Sequence, residues 1–539
     1  MKTEVPLLKK YIVLFVCALN SVLVFAGSPG LIWHQTYGET PYIQQVTVMV
    51  IDNYDNMFAA GFVNFGSYGN IIINRYDGVG NLMWNRLYNN IQTSAPVDMA
   101  VALFPDNMAG VTMVGYVNGS ATVTHIVTYD PTGTQVGDVL VGDTASGNIT
   151  YPFAVIYDGA SYYYMLGQLN SVSKVFKCDN TGNILWSVPL HNNHNNQVGS
   201  IQFDNYGSIV VGVSDSASAQ VIIHRYDQTT GNELPGFNTH VDSLPVNDNF
   251  IKILVDQSSN IFLAATGTDS LGRTQLVVDK FDTTGALLVS TMCNSSKGYS
   301  NTVNSFLLDN LSEVIISGPF TDDTDSRQFG AVYKVANAGG VVWYAIDSQF
   351  LVNNASAQVD LYDNVYLGTT KTPFAISPYY SDFSITQLSP DSGVAEWNRN
   401  FDNSANNTGL IMQVNNFGDV FLATTTTSDT VDEWFLARIG NAANDSTGTG
   451  IEAIINPTSD FTIFPNPFSS TTNISFTSAQ DEELTLKVYD IMGRLLQQRS
   501  IQSIAGNNQL TFNAAYAPGV YLFKLEGIDG SSVQQAVVY

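Results

Sequence analysis

From about residue 43 onward the chain alternates short apolar-rich runs with polar turns. Val46-Thr47-Val48-Met49-Val50 is typical: β-branched and extended, with no helical spacing of its apolar positions. Such runs end on an acidic residue, and these residues recur at Asp52, Asp106, Asp158, Asp204, Asp256, Asp309 and Asp360, 46 to 54 residues apart. Eight or nine residues after each stands a small residue: Gly61, Gly115, Gly167, Gly212, Ala265, Gly318 and Gly368. An apolar run, an acidic turn and a second run make a hairpin, repeated with a period near fifty.

A second hairpin follows in each unit. Its first strand often closes on a basic residue, an apolar one and Asp, as in Arg75-Tyr76-Asp77, Lys177-Cys178-Asp179, Arg225-Tyr226-Asp227 and Lys280-Phe281-Asp282. A glycine turn comes next, then a strand that in several units carries tryptophan four residues after the glycine: Gly80 to Trp84, Gly182 to Trp186, Gly339 to Trp343 and Gly393 to Trp397. Four strands per unit is the content of one propeller blade. The eighth unit runs through Asn415-Asn416 to Trp434-Phe435-Leu436-Ala437-Arg438-Ile439 and then stops one strand short. Leu31-Ile32-Trp33 stands alone before the first unit and supplies the missing strand. The expectation is therefore an all-β chain: an eight-bladed β-propeller with four strands per blade. Tandem sandwich domains need roughly a hundred residues per unit, and a helical solenoid needs helical periodicity; neither fits.

The Gly-x-x-x-Trp step resembles the tryptophan-docking motif of eight-bladed quinoproteins, in which the tryptophans lock neighbouring blades. The resemblance implies architecture rather than activity, because the adjacent cysteine pair typical of those dehydrogenases is missing from the sequence. The Asp-x-x-Gly-Asn pattern over 31–440 is also similar to the repeats of exported bacterial β-propeller repeat proteins.

Composition narrows the partners. A formal charge of −26 repels nucleic acid and anionic lipid, so neither is expected. Lys2, Lys9 and Lys10 precede an apolar run from Tyr11 towards Phe25, and Val24-Phe25-Ala26 suits a cut before Gly27. That is the layout of a secretory signal peptide over residues 1–26, and Asn20-Ser21 interrupts the run against the alternative of a membrane anchor. Cleavage leaves Cys178 and Cys293, in units that are not neighbours; Cys178 occupies a column otherwise held by Tyr or Phe and is expected to be a buried apolar residue.

Most conspicuous columns have a structural reading. Asp at the head of a tight turn accepts nearby backbone N–H groups, and aromatic columns fill space between blades. Both hairpin turns lie at one end of the disc, so the longer and more varied connections share the other end, where recognition is expected. Three segments there are candidates. Phe374, Tyr379 and Tyr380 are the candidate sugar- or protein-stacking residues; Asp322, Asp323 and Asp325 are candidate calcium ligands; His191 and His194 form an incomplete metal pair. No cofactor other than calcium is expected. No Gly-x-Ser-x-Gly elbow, His-Glu-x-x-His or phosphate loop is present. The expected role is a binding module for a carbohydrate or a protein, with a polysaccharide-cleaving enzyme or a structural surface protein as alternatives.

After Gly440 the repeat columns stop. Residues 441–460 read as a polar linker following the propeller at 27–440, and residues 461–539 read as a small β-sandwich. Phe464-Pro465-Asn466-Pro467, then Leu486-Lys487-Val488-Tyr489-Asp490 with Gly493-Arg494, then Pro518-Gly519-Val520-Tyr521 occur in that order. Pro465, Asn466, Pro467, Gly493, Gly519 and Tyr521 carry a resemblance to the C-terminal sorting domain of the bacterial type IX secretion system. The resemblance implies export by that machinery, to the medium or the cell surface. The C-terminus departs from the family, ending in Gln534-Gln535-Ala536-Val537-Val538-Tyr539 without the frequent basic residue. Val488, Leu495, Tyr521 and Phe523 are the expected core of this segment.

Overall fold

The computed structural model describes residues 30–440 and 458–538 apart from connecting segments, the longer of which are 89–97, 191–198, 242–251 and 373–381. Eight antiparallel sheets follow one another, their strands in chain order from the centre outward except that the last sheet takes Leu31–Tyr37 as its outermost strand. Their innermost strands are Ile43–Ile51, Met99–Pro105, Gly147–Tyr157, Gly199–Phe203, Lys252–Val255, Ser305–Leu308, Leu351–Val359 and Asn406–Val414, opening blades 1 to 8. Each innermost strand touches those of the two adjacent blades, and the first touches the last, so the ring closes. Blades 3 and 6 each gain a two-residue edge strand, Gly142–Asp143 and Gly298–Tyr299. In blade 4 the outermost strand shrinks to His240–Val241.

Period-two alternation explains why the middle strands are apolar throughout. In blade 1, Phe58, Ala60, Ile71 and Ile73 pack with residues of blade 2. Their sequence neighbours Met57, Ala59 and Ile72, and Tyr76 further along the same face, pack with residues of blade 8. Every residue of Gly69–Tyr76 is buried, because each face of the blade is covered by a neighbour. The outer strand Leu82–Tyr88 has only its Trp84 and Tyr88 buried, since its edge meets water.

The inner turns repeat one device. The Oδ1 of Asp52 accepts the N–H groups of Tyr54 at 2.8 Å and Asn56 at 2.9 Å, and Asp55 takes a left-handed φ of 62°. The same bonds recur at Asp106, Asp204, Asp256, Asp309 and Asp360, and Asn415 substitutes in blade 8. Ala109, Ser259, Ser312 and Asp363 hold the left-handed position in other inner turns, at a strain of about 1 kcal/mol or more each.

In the outer turns that position belongs to glycine, for a reason beyond φ. A Cβ on Gly80, Gly133, Gly231 or Gly393 would lie 2.5–2.6 Å from the ring of Trp33, Trp84, Trp186 or Trp343 of the preceding blade. Each of these indoles also donates its Nε1–H to a carbonyl in the same turn, and a basic side chain donates to that carbonyl as well. Pro131 O receives Trp84 at 3.2 Å and Arg75 at 2.7 Å; Gln228 O receives Trp186 at 3.2 Å and Lys177 at 3.0 Å. Pro390 O receives Trp343 at 2.9 Å and Lys334 at 3.2 Å, and Gly78 O receives Trp33 at 3.1 Å and Arg438 at 2.7 Å. At these four boundaries the basic, glycine and tryptophan columns of the sequence are thus one clamp between blades.

Ring closure uses that clamp too. Leu31–Tyr37 pairs antiparallel with Asp432–Ile439 as the outer strand of blade 8, and Gly440 N donates to Gly30 O at 2.9 Å. Because this outer strand comes from the other end of the propeller, blade 8 has no outer turn for Trp397 to dock on. The indole of Trp397 instead donates to Gln387 Oε1 within blade 7, at the position where other blades carry the basic residue.

Beyond residue 457, Thr458–Phe464, Thr471–Ser478 and Gly506–Asn513 form one sheet, and Leu495–Ser503, Glu482–Asp490, Gly519–Gly527 and Gly530–Val538 form another. Ile474, Phe476 and Phe512 of the first share a hydrophobic core with Leu486, Val488, Phe523 and Leu525 of the second. Val488, Tyr521 and Phe523 are buried, as the alternation predicts; the side chain of Leu495 lies outside the described residues.

The clamp yields a paired prediction. Gly133→Ala places a Cβ 2.6 Å from Trp84 at a φ of 75°, whereas Gly207→Ala meets nothing within 4 Å at a φ of 79°. The first should lose about 3 kcal/mol or more and the second about 1 kcal/mol, in chemical denaturation followed by tryptophan fluorescence. Equal losses would show that backbone strain alone sets the glycine and that the docked indole contributes nothing.

Candidate functional site

The sequence-predicted site residues are unevenly placed. Phe374, Tyr379, Tyr380, Asp323, Asp325, His191 and His194 lie outside the described residues. Asp322 ends the strand Val314–Asp322, its backbone N–H donating to Arg327 O at 2.8 Å. Among the described residues no group of three His, Cys, Asp or Glu side chains is arranged to hold a metal ion. The Asp column is occupied by turn hydrogen bonds rather than aimed at a shared centre. Cys178 and Cys293 are free and fully buried, and burial pushes both thiols up, that of Cys293 to about 12. Neither is a thiolate at neutral pH, which fits a packing role. Of the tail motif, Asn466 is exposed, Gly519 opens a strand, and Tyr521 is buried and stacks on Tyr516 at 4.9 Å between ring centroids. Pro465, Pro467 and Gly493 lie outside the described residues.

The two ends of the disc differ in kind. The hairpin turns of the blades lie at one end and are short, differing from one another by no more than a residue. Their side chains are less bland than their lengths: Tyr54, Met108, Tyr206, Leu311, Tyr362 and Phe417, all two residues after the turn Asp or Asn, are 65–76% exposed. A cavity of about 200 Å³ lies among these turns, against Asp309, Asn310, Asp360, Asp363, Asn415 and Asn416. The connections between hairpins and between blades reach the other end. A larger cavity of about 400 Å³ lies along the central channel, walled by the innermost strands of blades 2 to 6.

Near the long-loop end, blades 1 and 2 bring four titratable groups together that sequence spacing did not flag. Tyr88 ends the outer strand of blade 1, Asp98 precedes the inner strand of blade 2, His125 lies on Val123–Tyr129 and Asp138 on Gln135–Leu140. The Tyr88 hydroxyl is 3.0 Å from His125 Nδ1 and donates to Asp138 Oδ2 at 2.9 Å; His125 Nδ1 lies 2.9 Å from Asp138 Oδ1. Asp98 is 3% exposed, and its Oδ1 accepts the Asn118 N–H at 2.8 Å. Burial raises the Asp98 carboxyl to about 6, against the opposing pull of that bond and of His125. Burial and the Asp138 carboxylate push the Tyr88 phenol well above its ordinary value. Asp98 thus keeps its proton closer to neutrality than an ordinary aspartate, beside a hydrogen-bonded Tyr88–His125–Asp138 set; no group able to hold a metal ion accompanies it among the described residues.

Comparison with known proteins identifies one part of the chain. Residues 462–539 match the family described as the secretion system C-terminal sorting domain. This segment is therefore a sorting domain that engages the type IX secretion machinery, and it directs export to the cell surface or the extracellular space. No curated protein matches the chain. Among solved structures, a subtype N10 neuraminidase-like protein of A/little yellow-shouldered bat/Guatemala/060/2010 is 11% identical, over 53% of this chain and 93% of its own, with a TM-score of 0.32. The Pan2 WD40 domain of Neurospora crassa is 10% identical over 63% and 89%, TM-score 0.36, and the polysaccharide lyase Uly1 is 9% identical over 66% and 93%, TM-score 0.38. These likenesses carry no functional weight, and the blade assignment rests on the strand pairing itself.

Asp98 makes a pH prediction with a definite sign. Its folded-state pKa lies above the ordinary value of 3.8, so between pH 4 and pH 6 the fold keeps a proton that the unfolded chain has released. The stabilisation from the protonated form is full below pH 4 and is lost as pH rises through 6. Asp98→Asn, whose amide oxygen can still accept the Asn118 N–H, should remove that loss and raise stability at pH 7 by about 2–3 kcal/mol. Denaturation curves from pH 4 to pH 7 test this; a variant that tracks the parent at every pH would refute the buried-carboxyl assignment.

Proposed function

We propose that the mature chain is a secreted or cell-surface recognition module that binds a carbohydrate or a protein through the long-loop end of its propeller. The observation that carries this reading is the contrast between the two ends of a clamped ring. The turns at one end are short and tightly hydrogen-bonded, while the connections at the other vary in length and composition on a rigid support. In this reading residues 1–26 are a cleaved signal peptide, residues 27–440 the binding module and residues 441–460 a spacer to the sorting domain at 461–539. Phe374, Tyr379 and Tyr380 supply the aromatic contacts, and a calcium ion held by Asp322, Asp323 and Asp325 orders the neighbouring loop. A polysaccharide-cleaving activity is the second reading, favoured by the proton-holding set at Asp98, Tyr88, His125 and Asp138.

The mature chain on glycan and protein arrays, with calcium and with chelator, should give a saturable hit that Tyr379→Ala with Tyr380→Ala weakens about tenfold or more. A hit consumed over time, with turnover lost in His125→Ala, would move the assignment to the enzyme. Blank arrays in both conditions would sink the recognition reading and leave a structural role. Removal of residues 462–539 should hold the chain in the periplasm, read by fractionation of the producing cells.

A further inference from the structure

The basic side chains of the propeller are mostly spent on its own carbonyls and carboxylates. Arg75, Lys177, Lys280, Lys334 and Arg438 reach the outer turn of the next blade, and Arg225 pairs with Asp204. Lys252 is different. It is the first residue of the inner strand of blade 5, and it lines the channel cavity of about 400 Å³. Its Nζ donates to the backbone oxygen of Asn304, across the blade boundary, at 2.5 Å. No carboxylate pairs with it among the described residues, so an ammonium with three donors has one protein acceptor there.

A largely buried cation without a counter-charge is costly, and burial lowers the Lys252 pKa accordingly. The walls around it are equipped for more than charge. Ser200 and Gln202 of blade 4 line the same space. The Ser200 hydroxyl accepts the Ile253 N–H at 3.2 Å, which leaves its own proton free to donate. Val101, Phe153, Leu254 and Phe306 add apolar surface. The volume falls in the ordinary range for small-molecule sites, roughly 300–1,000 Å³. The strand order also sets the direction of approach. Asp256 begins the tight turn at the far end of Lys252–Val255, so Lys252 stands at the long-loop mouth of the channel.

We propose that the channel mouth is an anion site in which Lys252 receives the carboxylate or sulfate of an acidic sugar, with Ser200 and Gln202 hydrogen-bonding its hydroxyls and the Phe153 and Phe306 side chains facing its apolar surface. The inference rests on the reading of the long-loop end as the binding end and narrows that reading to a ligand class. A chain of charge −26 repels acidic sugars at long range, so the site discriminates by one short-range, desolvated contact rather than by steering.

Isothermal titration of the mature chain with glucuronate, glucose 6-sulfate and glucose tests the site and separates the two anion types. At least one anion should bind about 10- to 100-fold more tightly than glucose, the increment of one charge-assisted hydrogen bond. Lys252→Met should erase that preference and Lys252→Arg should keep most of it, with cooperative unfolding, at a midpoint no lower than the parent's for Lys252→Met, showing that the variants fold. Equal binding of anion and glucose, no binding of any of the three, or a preference that survives Lys252→Met would overturn the proposal. An array hit for a neutral glycan or a protein alongside those outcomes would leave the recognition reading standing.

Discussion

Every blade has two apolar faces and can bury neither by itself. That constraint makes the fold a ring: a row of such sheets always leaves two faces wet unless its ends meet. In this chain the meeting is made by Leu31–Tyr37 on Asp432–Ile439, and Trp33 of that strand then docks on the turn of blade 1 as Trp84 docks on the turn of blade 2. Arg438, on the third strand of blade 8, joins Asp55, Asp419 and Gly78 O across the same seam. The seam is therefore built like the other blade boundaries, with an added salt-bridge pair.

The clamp also explains how four of the eight blade boundaries, all divergent in sequence, keep one spacing. Ridge-and-groove packing of flat sheets tolerates sliding, because apolar contact has no direction. A carbonyl that must meet both an indole N–H and a basic side chain does not slide. Glycine at the left-handed position is required by the indole as much as by φ, whereas inner turns, where a Cβ meets open space at Gly207, accept Asp, Ala or Ser there. Where the geometry removes the acceptor turn, at blade 8, the donor column changes too: Gln387 replaces the basic residue and takes the Trp397 bond.

Much of this was legible along the chain. Asp52 and its equivalents show themselves because an Asx-type turn is local: donor and acceptor lie two to four residues apart. Blade number and the closing strand follow from counting those turns. The partner of each Gly-x-x-x-Trp step was not legible, since Trp84 meets Pro131 O 47 residues on and the basic column aims at the same atom from 56 residues away. The site was still less so. Tyr88, His125 and Asp138 come from three strands of two blades, and Lys252 looks like any strand-opening lysine until Asn304 and the channel walls surround it. The exposed series from Tyr54 to Phe417 follows the repeat, yet its exposure depends on which way each turn points, which alternation does not fix.

The allocation of charge links the scaffold to its surroundings. Exported acidic chains stay soluble through net repulsion, and here several of the few positive charges, among them Arg75, Lys177, Lys280, Lys334 and Arg438, are withdrawn into blade boundaries, where they act as hydrogen-bond donors rather than as surface charge. The outer-turn carboxylates are held charged in compensation: threonine hydroxyls and backbone N–H groups keep Asp130, Asp227 and Asp282 below the usual carboxylate range. One end of the disc thus carries fixed negative charge around a series of exposed apolar side chains, on turns too short to adapt. The other end carries the variable connections and the mouth of a channel with a cation inside. A ligand that needs shape and one buried charge finds both at the second end, and the rigidity that presents them is made at the first.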